Sequence, residues 1–415
     1  MSLRLGIVGG GFVAAFHVRA SEAVRGLEVG GLTSRTPPTQ IAAEVVSKGL
    51  GEGVLYDSVE ELVRNVDVVA LFSPNFTRVA TMEAIARAVE DGATLKGLVC
   101  EKPLGRNMAE ALRVVELANQ IGVPTSYFEN QIHMPALIAA RTQLGAVEGA
   151  MGPLSLARAA EEHAGPHNAW FWDPTQQGGG VLSDMGCHSI AVGWYLLTPQ
   201  GRPPDYLIPE TVTAQVALLK WGQPKWRQEL MDTYGVDYTK TPAEDFATGT
   251  VTFRDPETNK ISLAQFTVSW MYDKQGLRLL MDALGPGYAL EVNTLRSPLE
   301  LFIGDAAASG VADAELALEK STASQGLLTV QPDEPALYGY VEEQRDLVEA
   351  LEQGRPPLLD FDYGLEIVRL TMAAYMSAEQ GRTVDLTDPA TAEEVENYVP
   401  LIQQGRGREV LHVVD

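Results

Sequence analysis

The chain has 415 residues, of which 45% are hydrophobic and 21% charged, and its formal net charge is −24. The length allows two or three domains with cores of their own, and the composition is ordinary for a globular protein. The acidic surplus excludes a general affinity for nucleic acid or an anionic membrane surface, which need basic surface, and two cysteines, Cys100 and Cys187, are too few for a disulfide framework and suit a reducing compartment.

The first residues, MSLRLGIVGGG, enter a strand pattern at once, so no signal peptide is expected. No run of 18 apolar residues is present to span a membrane, and a cytoplasmic protein is expected. LRLGIVG, LEVGGLTS, VDVVALFS, LKGLVCE and PTSYFEN are short apolar runs, with a weaker strand candidate at GVLYD. Runs of this kind suit a parallel sheet covered on both faces. Helix patterns lie between them. Ser58 and Glu61 form a capping box, Asn107 and Glu110 resemble one, and Gly122 stops the helix that Asn107 opens. This alternation predicts a doubly wound α/β domain over residues 1–128.

The character changes after about residue 130. Helix patterns at 135–144 and 182–197 flank a strand candidate at 154–161. TVTAQVALLKW, TGTVTFRD, ISLAQFTVSW, GYALEVNTL and PLELFIG then read as strands in series, and two helices are expected near 337–352 and 363–380. Residues 129–385 are therefore predicted to form a second, α/β domain with a largely antiparallel sheet, residues 223–246 an insertion in it, and residues 386–415 an extension with one helix candidate.

Two stretches carry chemistry. In GIVGGGFVAAFH, Gly9 allows a tight turn, Gly11 lets backbone approach a pyrophosphate, and Ala14 lets helix and strand pack closely. Phe12 and Val13 open the helix whose N-terminus would face the phosphates. The next strand ends in Ser34 and Arg35 where an acid would bind the ribose of NAD; an arginine there can pair with a 2′-phosphate, which favours NADP over NAD. Glu101, Lys102 and Pro103 fall at the C-terminal end of a parallel strand, where a partly desolvated lysine can exchange a proton with an alcohol.

The second stretch is GGGVLSDMGCHS, residues 178–189. Four-residue spacing puts Asp184 and His188 on one helix face, with Cys187 turned elsewhere into packing. The Gly178–Gly180 run would let backbone pass close to a ligand. A cysteine nucleophile would need its own activating base and is the weaker reading. A metal site drawing on His163 and His167 is the sharper rival, but AGP breaks any helix between those two, and no metal is expected. Trp170, Phe171 and Trp172 just before the glycines offer aromatic faces for a sugar ring, or else core packing.

In order and spacing, GIVGGGFVAAFH, SPN, CEKPL and GGGVLSDMGCHS resemble the glucose–fructose oxidoreductase / inositol dehydrogenase (Gfo/Idh/MocA) family over roughly residues 1–385. The resemblance implies an N-terminal Rossmann domain, a second domain whose open sheet commonly makes a homo-dimer or homo-tetramer interface, and a carbohydrate-like small-molecule substrate. It implies that Glu101 contacts the nicotinamide side of the cofactor, that Lys102 reaches substrate before an often cis proline peptide, and that His188 is acid/base at the oxidised hydroxyl with Asp184 contacting substrate or tuning it. Ser73, Pro74 and Asn75 match a cofactor-side loop, and Asn130 an asparagine that opens the second domain. Arg78 stands in that loop where the family usually has histidine, and joins the cofactor-binding set; Gln131 replaces a common arginine. His163, His167, Trp170 and Trp172 complete the candidate substrate set. The expected activity is hydride transfer between NAD(P) and a secondary hydroxyl of a sugar, cyclitol or glycoside. The rivals are a redox-neutral glycosidase or epimerase that keeps its cofactor, and a non-catalytic NAD(P)-binding regulator.

Overall fold

The computed structural model describes residues 2–273, 276–295, 300–303, 326–329 and 333–413. The chain falls into two compact units: residues 1–138 with 333–368, and residues 139–332 with 369–415. In chain order the elements up to the first sheet's end are β1 (Leu3–Val8), α1 (Phe12–Ser21), β2 (Leu27–Thr33), α2 (Thr39–Ser47), α3 (Val59–Val63), β3 (Val68–Leu71), α4 (Arg78–Glu90), β4 (Gly97–Glu101), α5 (Met108–Ile121) and β5 (Thr125–Phe128). There follow α6 (Pro135–Met151), β6 (Leu156–Glu162), α7 (Ala169–Trp172), α8 (Pro174–Gln177), α9 (Cys187–Leu197), β7 (Ile208–Ala217), α10 (Pro224–Tyr234), β8 (Phe246–Arg254), β9 (Ile261–Ser269), β10 (Arg278–Gly285), β11 (Tyr288–Asn293), β12 (Glu300–Ile303) and β13 (Gly326–Thr329). The last are α11 (Glu334–Leu337), α12 (Tyr340–Gln353), α13 (Phe361–Gln380), β14 (Val384–Asp385) and α14 (Pro389–Glu396).

In the first unit five parallel strands run in the order β2-β1-β3-β4-β5. β3 and β4 are buried at every position, as continuous apolar runs in a covered parallel sheet require. The expected strand at GVLYD shrinks to one parallel bridge between Leu55 and Leu32 on the far side of β2. Gly51 and Gly53, both at positive φ, precede it and keep the chain out of extended geometry. Counting that bridge as a strand gives the 3-2-1-4-5-6 order of a dinucleotide fold, whose order reverses between β1 and β3. The caps follow local rules: Glu61 N–H donates to Ser58 Oγ (3.1 Å), Glu110 N–H to Asn107 Oδ1 (3.1 Å), and Gly122 closes α5 at φ 73°.

Residues 333–368, expected in the second domain, belong to this first unit. The reason is the apolar face of α12: Tyr340, Val341, Gln344, Leu347 and Val348 are buried at helical spacing, and Tyr340 meets Phe16 of α1 edge-on with ring centroids 4.7 Å apart.

The second unit is built on a seven-stranded sheet, β11-β10-β6-β9-β8-β7-β14, antiparallel at every pairing except β6 with β9. Helix α9 covers one face, where Gly193 lies close against Ala264 of β9. On β9 the positions alternate, Ala264, Phe266 and Val268 buried and Ile261, Leu263 and Gln265 exposed, so the other face is open. Strand β10 has no counterpart among the sequence-based strands. Of the expected PLELFIG strand, β12 holds residues 300–303, and the rest lies outside the described residues. The insertion at 223–246 supplies α10 and a loop that leads into β8.

Candidate functional site

The first unit brings its motif residues to the C-terminal ends of β1, β2, β3 and β4, where ligands bind in open parallel sheets. Gly9 turns at φ 147°, and a Cβ there would sit 2.7 Å from the Phe72 carbonyl. Gly11 is the N-cap of α1 with no capping side chain, and no atom lies within 4 Å of where its Cβ would be. The backbone at this cap is therefore uncrowded, while Ala14 is fully buried against the sheet. This is a cradle that fits a pyrophosphate. Ser34 packs beside Gly10, and Arg35 is exposed at the end of β2. After β3, Ser73 Oγ and Thr77 Oγ1 share a hydrogen bond (2.8 Å), Thr77 Oγ1 donates to the Pro74 carbonyl (2.7 Å), and Asn75 is buried.

The strand end at Glu101 is held tightly. Oε1 of Glu101 is 2.8 Å from His17 Nε2, and Oε2 accepts the Lys102 N–H at 3.0 Å. His17 lies flat on Phe72, centroids 3.9 Å apart and planes 8° apart. Gln344 of α12 donates to the His17 carbonyl (2.9 Å) and stands 3.2 Å from Nδ1. Ser21 Oγ lies 2.9 Å from Gln344 Oε1. If the amide nitrogen donates to Nδ1, His17 carries its proton on Nε2 and donates it to Glu101, so Gln344 sets the tautomer. Glu343 Oε1 is 3.9 Å from Nδ1, and His17, Glu101 and Glu343 are the one buried group with ligand-like spacing among the described residues. Both ring nitrogens already face hydrogen-bonding partners, which disfavours a metal there.

Lys102 is half-buried, and its peptide to Pro103 is cis. Two expected cofactor ligands are turned toward protein. Arg78 is buried, with NH2 donating to the Lys102 carbonyl at 2.9 Å, so it braces this turn from behind. Beside it, burial pushes the Cys100 thiol upward, against the pull of the Arg78 cation. Asn130 donates its side-chain N–H to the Tyr338 carbonyl at 2.7 Å.

In the second unit the sequence-predicted helix begins as a π-helical turn, Leu182–Gly186, and becomes α9 at Cys187. Single π-turns within helices are frequent at functional sites. Asp184 and His188 are both buried on it, and Cys187 is fully buried with Sγ near the carbonyls of Ser183 and Asp184. The glycine run does allow a close approach, but to protein. A Cβ on Gly179 would overlap the Tyr375 hydroxyl, and one on Gly180 the Glu244 backbone carbonyl. Gly180 N–H donates to both carboxylate oxygens of Glu244 (3.0 Å each), Val181 N–H to the Glu244 carbonyl (3.0 Å), and Leu182 N–H to Glu244 Oε1 (3.0 Å). Ser183 N–H donates to the Tyr375 hydroxyl (3.1 Å), which itself donates to Glu244 Oε1 (2.6 Å). Burial pushes the Glu244 carboxyl up to about 7, against the donors that pull it down.

The remaining candidates divide. His163 is buried and its Nδ1 accepts the Gly165 N–H at 3.0 Å, while His167 is half-buried. Trp170 stacks on Phe171 with centroids 3.8 Å apart, both half-exposed. Trp172 has no free face: it is 1% exposed, meets Trp221 and Trp270 edge-on at 4.7 and 5.0 Å, and donates Nε1–H to the Pro166 carbonyl. It is core, not a sugar platform. Sequence reasoning missed His17, Gln344, Glu244 and Tyr375. Only His17 carried a signal, a histidine inside the apolar run VAAFHV.

Two models of one family match this chain: the oxidoreductase family with an NAD-binding Rossmann fold over residues 3–128, and the GFO/IDH/MocA C-terminal domain over residues 145–281. A 1,5-anhydro-D-fructose reductase of Ensifer adhaerens is 30% identical over 45% of this chain and 54% of its own length. The rhizopine catabolism protein MocA of Rhizobium meliloti is 28% identical over 55% of this chain and 67% of its own. The chain thus spans between half and two-thirds of these relatives. GenD2 from gentamicin A biosynthesis, solved in complex with NAD, superposes with a TM-score of 0.70 at 22% identity, covering 92% of this chain and 96% of that one, a likeness of fold.

Proposed function

Since the chain belongs to the Gfo/Idh/MocA family of NAD-binding oxidoreductases, we propose that it is an NAD(P)-dependent dehydrogenase. Its substrate is a secondary alcohol of a sugar, cyclitol or glycoside. The observation that carries this reading is the first unit's arrangement: an uncapped helix start open at Gly11, and a Glu101–Lys102 turn clamped by His17 on the same edge of the sheet. Gly11, Phe12 and Val13 would hold the pyrophosphate, Ser73–Asn75 the adjoining ribose side, and Glu101 the nicotinamide end. A nicotinamide bound there would supply the hydride acceptor for the alcohol carbon. Lys102 and His188 move the hydroxyl proton, and Asp184 orients the histidine; the alcohol loses one hydride and one proton and becomes a ketone. The exposed Arg35 beside Ser34 supports a preference for NADP.

A carbohydrate substrate is supported by the relatives' names, a 1,5-anhydro-D-fructose reductase among them. A homo-oligomer is supported by the open sheet face, where Leu284, Leu156 and Leu263 stand in register across β10, β6 and β9. The buried free thiols of Cys100 and Cys187 support a cytoplasmic setting; no described helix is long and apolar enough to cross a membrane.

The test is absorbance at 340 nm with NAD⁺ and NADP⁺ against myo-inositol, glucose, glucose 6-phosphate and a set of glycosides, alongside mass analysis of nucleotide released on denaturation. Steady reduction of added cofactor on one polyol is expected. Retained nucleotide with product formed but no net absorbance change would replace the dehydrogenase with a redox-neutral reaction. Failure to bind either nucleotide would end the proposal.

A further inference from the structure

The helix start in the second unit presents four backbone amides, those of residues 180 to 183, and every one has a side chain or carbonyl of Glu244 or Tyr375 as its acceptor. The first regular helical bond, Asp184 N–H to the Gly180 carbonyl (3.1 Å), follows at once. Helix starts normally leave these donors to a capping residue or to a ligand. Here neither serves. The acceptors come from 64 and 195 residues away, and Gly179 and Gly180 make room for them. Glu244 closes the 223–246 insertion, for which the sequence offered no role. Its neighbour Asp245 works alike, its carboxylate accepting the amides of Leu219, Lys220 and Trp221 at 2.7–2.8 Å.

We infer that Glu244 and Tyr375 are positioning residues for Asp184 and His188. The inference rests on the roles proposed above for those two side chains. By taking the amides of 180–183 they fix where the π-helical turn begins and how it is rotated, and so where the next residues point. A consequence for specificity follows. Since these amides are taken, this helix start does not serve as a phosphate or carboxylate site, and an anionic group on the substrate must be met by side chains instead.

The experiment compares full-length wild-type, Glu244→Leu, Glu244→Gln and Tyr375→Phe proteins. The substrate-free readout is histidine NMR with ¹³Cε1 labelling, in which the chain's six histidines give few enough signals to assign. Glu244→Leu is expected to move the His188 resonance while those of His17 and His133, in the other unit, stay put. NADH affinity, read by fluorescence, is expected to change less than twofold. On the polyol that wild type oxidises, kcat/KM is expected to fall tenfold or more in Glu244→Leu. Glu244→Gln, which keeps Oε1 as acceptor for Leu182 and Tyr375, recovers to within about threefold of wild type. A lock that is merely structural would lower the melting temperature and leave the His188 signal and kcat/KM of the folded variant unchanged; that result overturns the inference. If Glu244→Leu does not fold, Tyr375→Phe decides, since it removes the Ser183 acceptor and the hydroxyl's bonds to Gly180 and Glu244 while leaving the Glu244 carboxylate in place, and it must still shift His188. If wild type oxidises no polyol, the functional reading fails, and the NMR arm still tests whether Glu244 and Tyr375 set the position of His188.

Discussion

Both units run glycines into a helix, and they use the device in opposite ways. At Gly11 the helix start is uncapped and nothing crowds the backbone. At Gly179 and Gly180 the helix start is filled by Glu244 and Tyr375. In the first case glycine leaves the helix start open, the space in which the proposed function seats a ligand's phosphates. In the second it makes space for the protein's own acceptors. A glycine-rich helix entry thus says that something comes close to the backbone, and only the three-dimensional partners say what.

The largest effects test whether each half carries chemistry. Replacing Lys102 or His188 with alanine is expected to lower kcat by roughly 10²–10⁴-fold while NADH binding survives, read by steady-state kinetics and fluorescence. Equal activity in both variants would remove the acid/base assignment. The glycines themselves come next. Gly180→Ala should cost about 3 kcal/mol in urea denaturation, because its methyl meets a fixed carbonyl. Gly11→Ala should change stability by no more than about 0.5 kcal/mol. It should weaken nucleotide binding about tenfold, or ~1.4 kcal/mol. Matching stability losses at the two sites would erase the contrast.

The lock has a pH signature of similar size. The Glu244 carboxyl is raised from 4.5 to about 7, chiefly by burial, with Tyr375, Tyr238 and Asp245 around it. A raised value favours the folded state fully below 4.5 and loses that contribution as pH climbs through 7, a span of about 3 kcal/mol. Urea midpoints at pH 5 and 8 should therefore differ more for wild type than for Glu244→Gln; parallel pH dependence would refute the assignment. The smallest expected effect is at Arg35. Arg35→Asp should shift the NADP-to-NAD preference about tenfold toward NAD, close to 1.4 kcal/mol, in kcat/KM ratios.

Features set by neighbours in sequence were legible, and features set by distant partners were not. Ser58, Asn107 and Gly122 cap their helices as read, because a cap needs only three or four consecutive residues. The β1–glycine–α1 entry was equally local. Strand β10, RLLMDALG, escaped because leucine, methionine, alanine and arginine are helix formers, and pairing with β6 and β11 overrides them. The π-helical turn, the core burial of Trp172, and the burial of Arg78 behind Lys102 each depend on residues far along the chain. At the site, the motif residues were visible while their supports, His17 with Gln344 and Glu244 with Tyr375, were not.

The return of α12 to the first unit also has a temporal side. The dinucleotide-binding sheet is complete in sequence by Phe128, yet Gln344, which holds His17, arrives more than two hundred residues later. At about 5–20 residues per second of synthesis, that interval is on the order of 10–40 s. During it the nascent chain must carry the bare side of α1, with Phe16 and His17 unshielded by Tyr340. The last third of the polypeptide is in this sense the clasp that closes the first, and a ribosome stalled before residue 344 would display a nucleotide-binding domain with its Glu101 clamp still open.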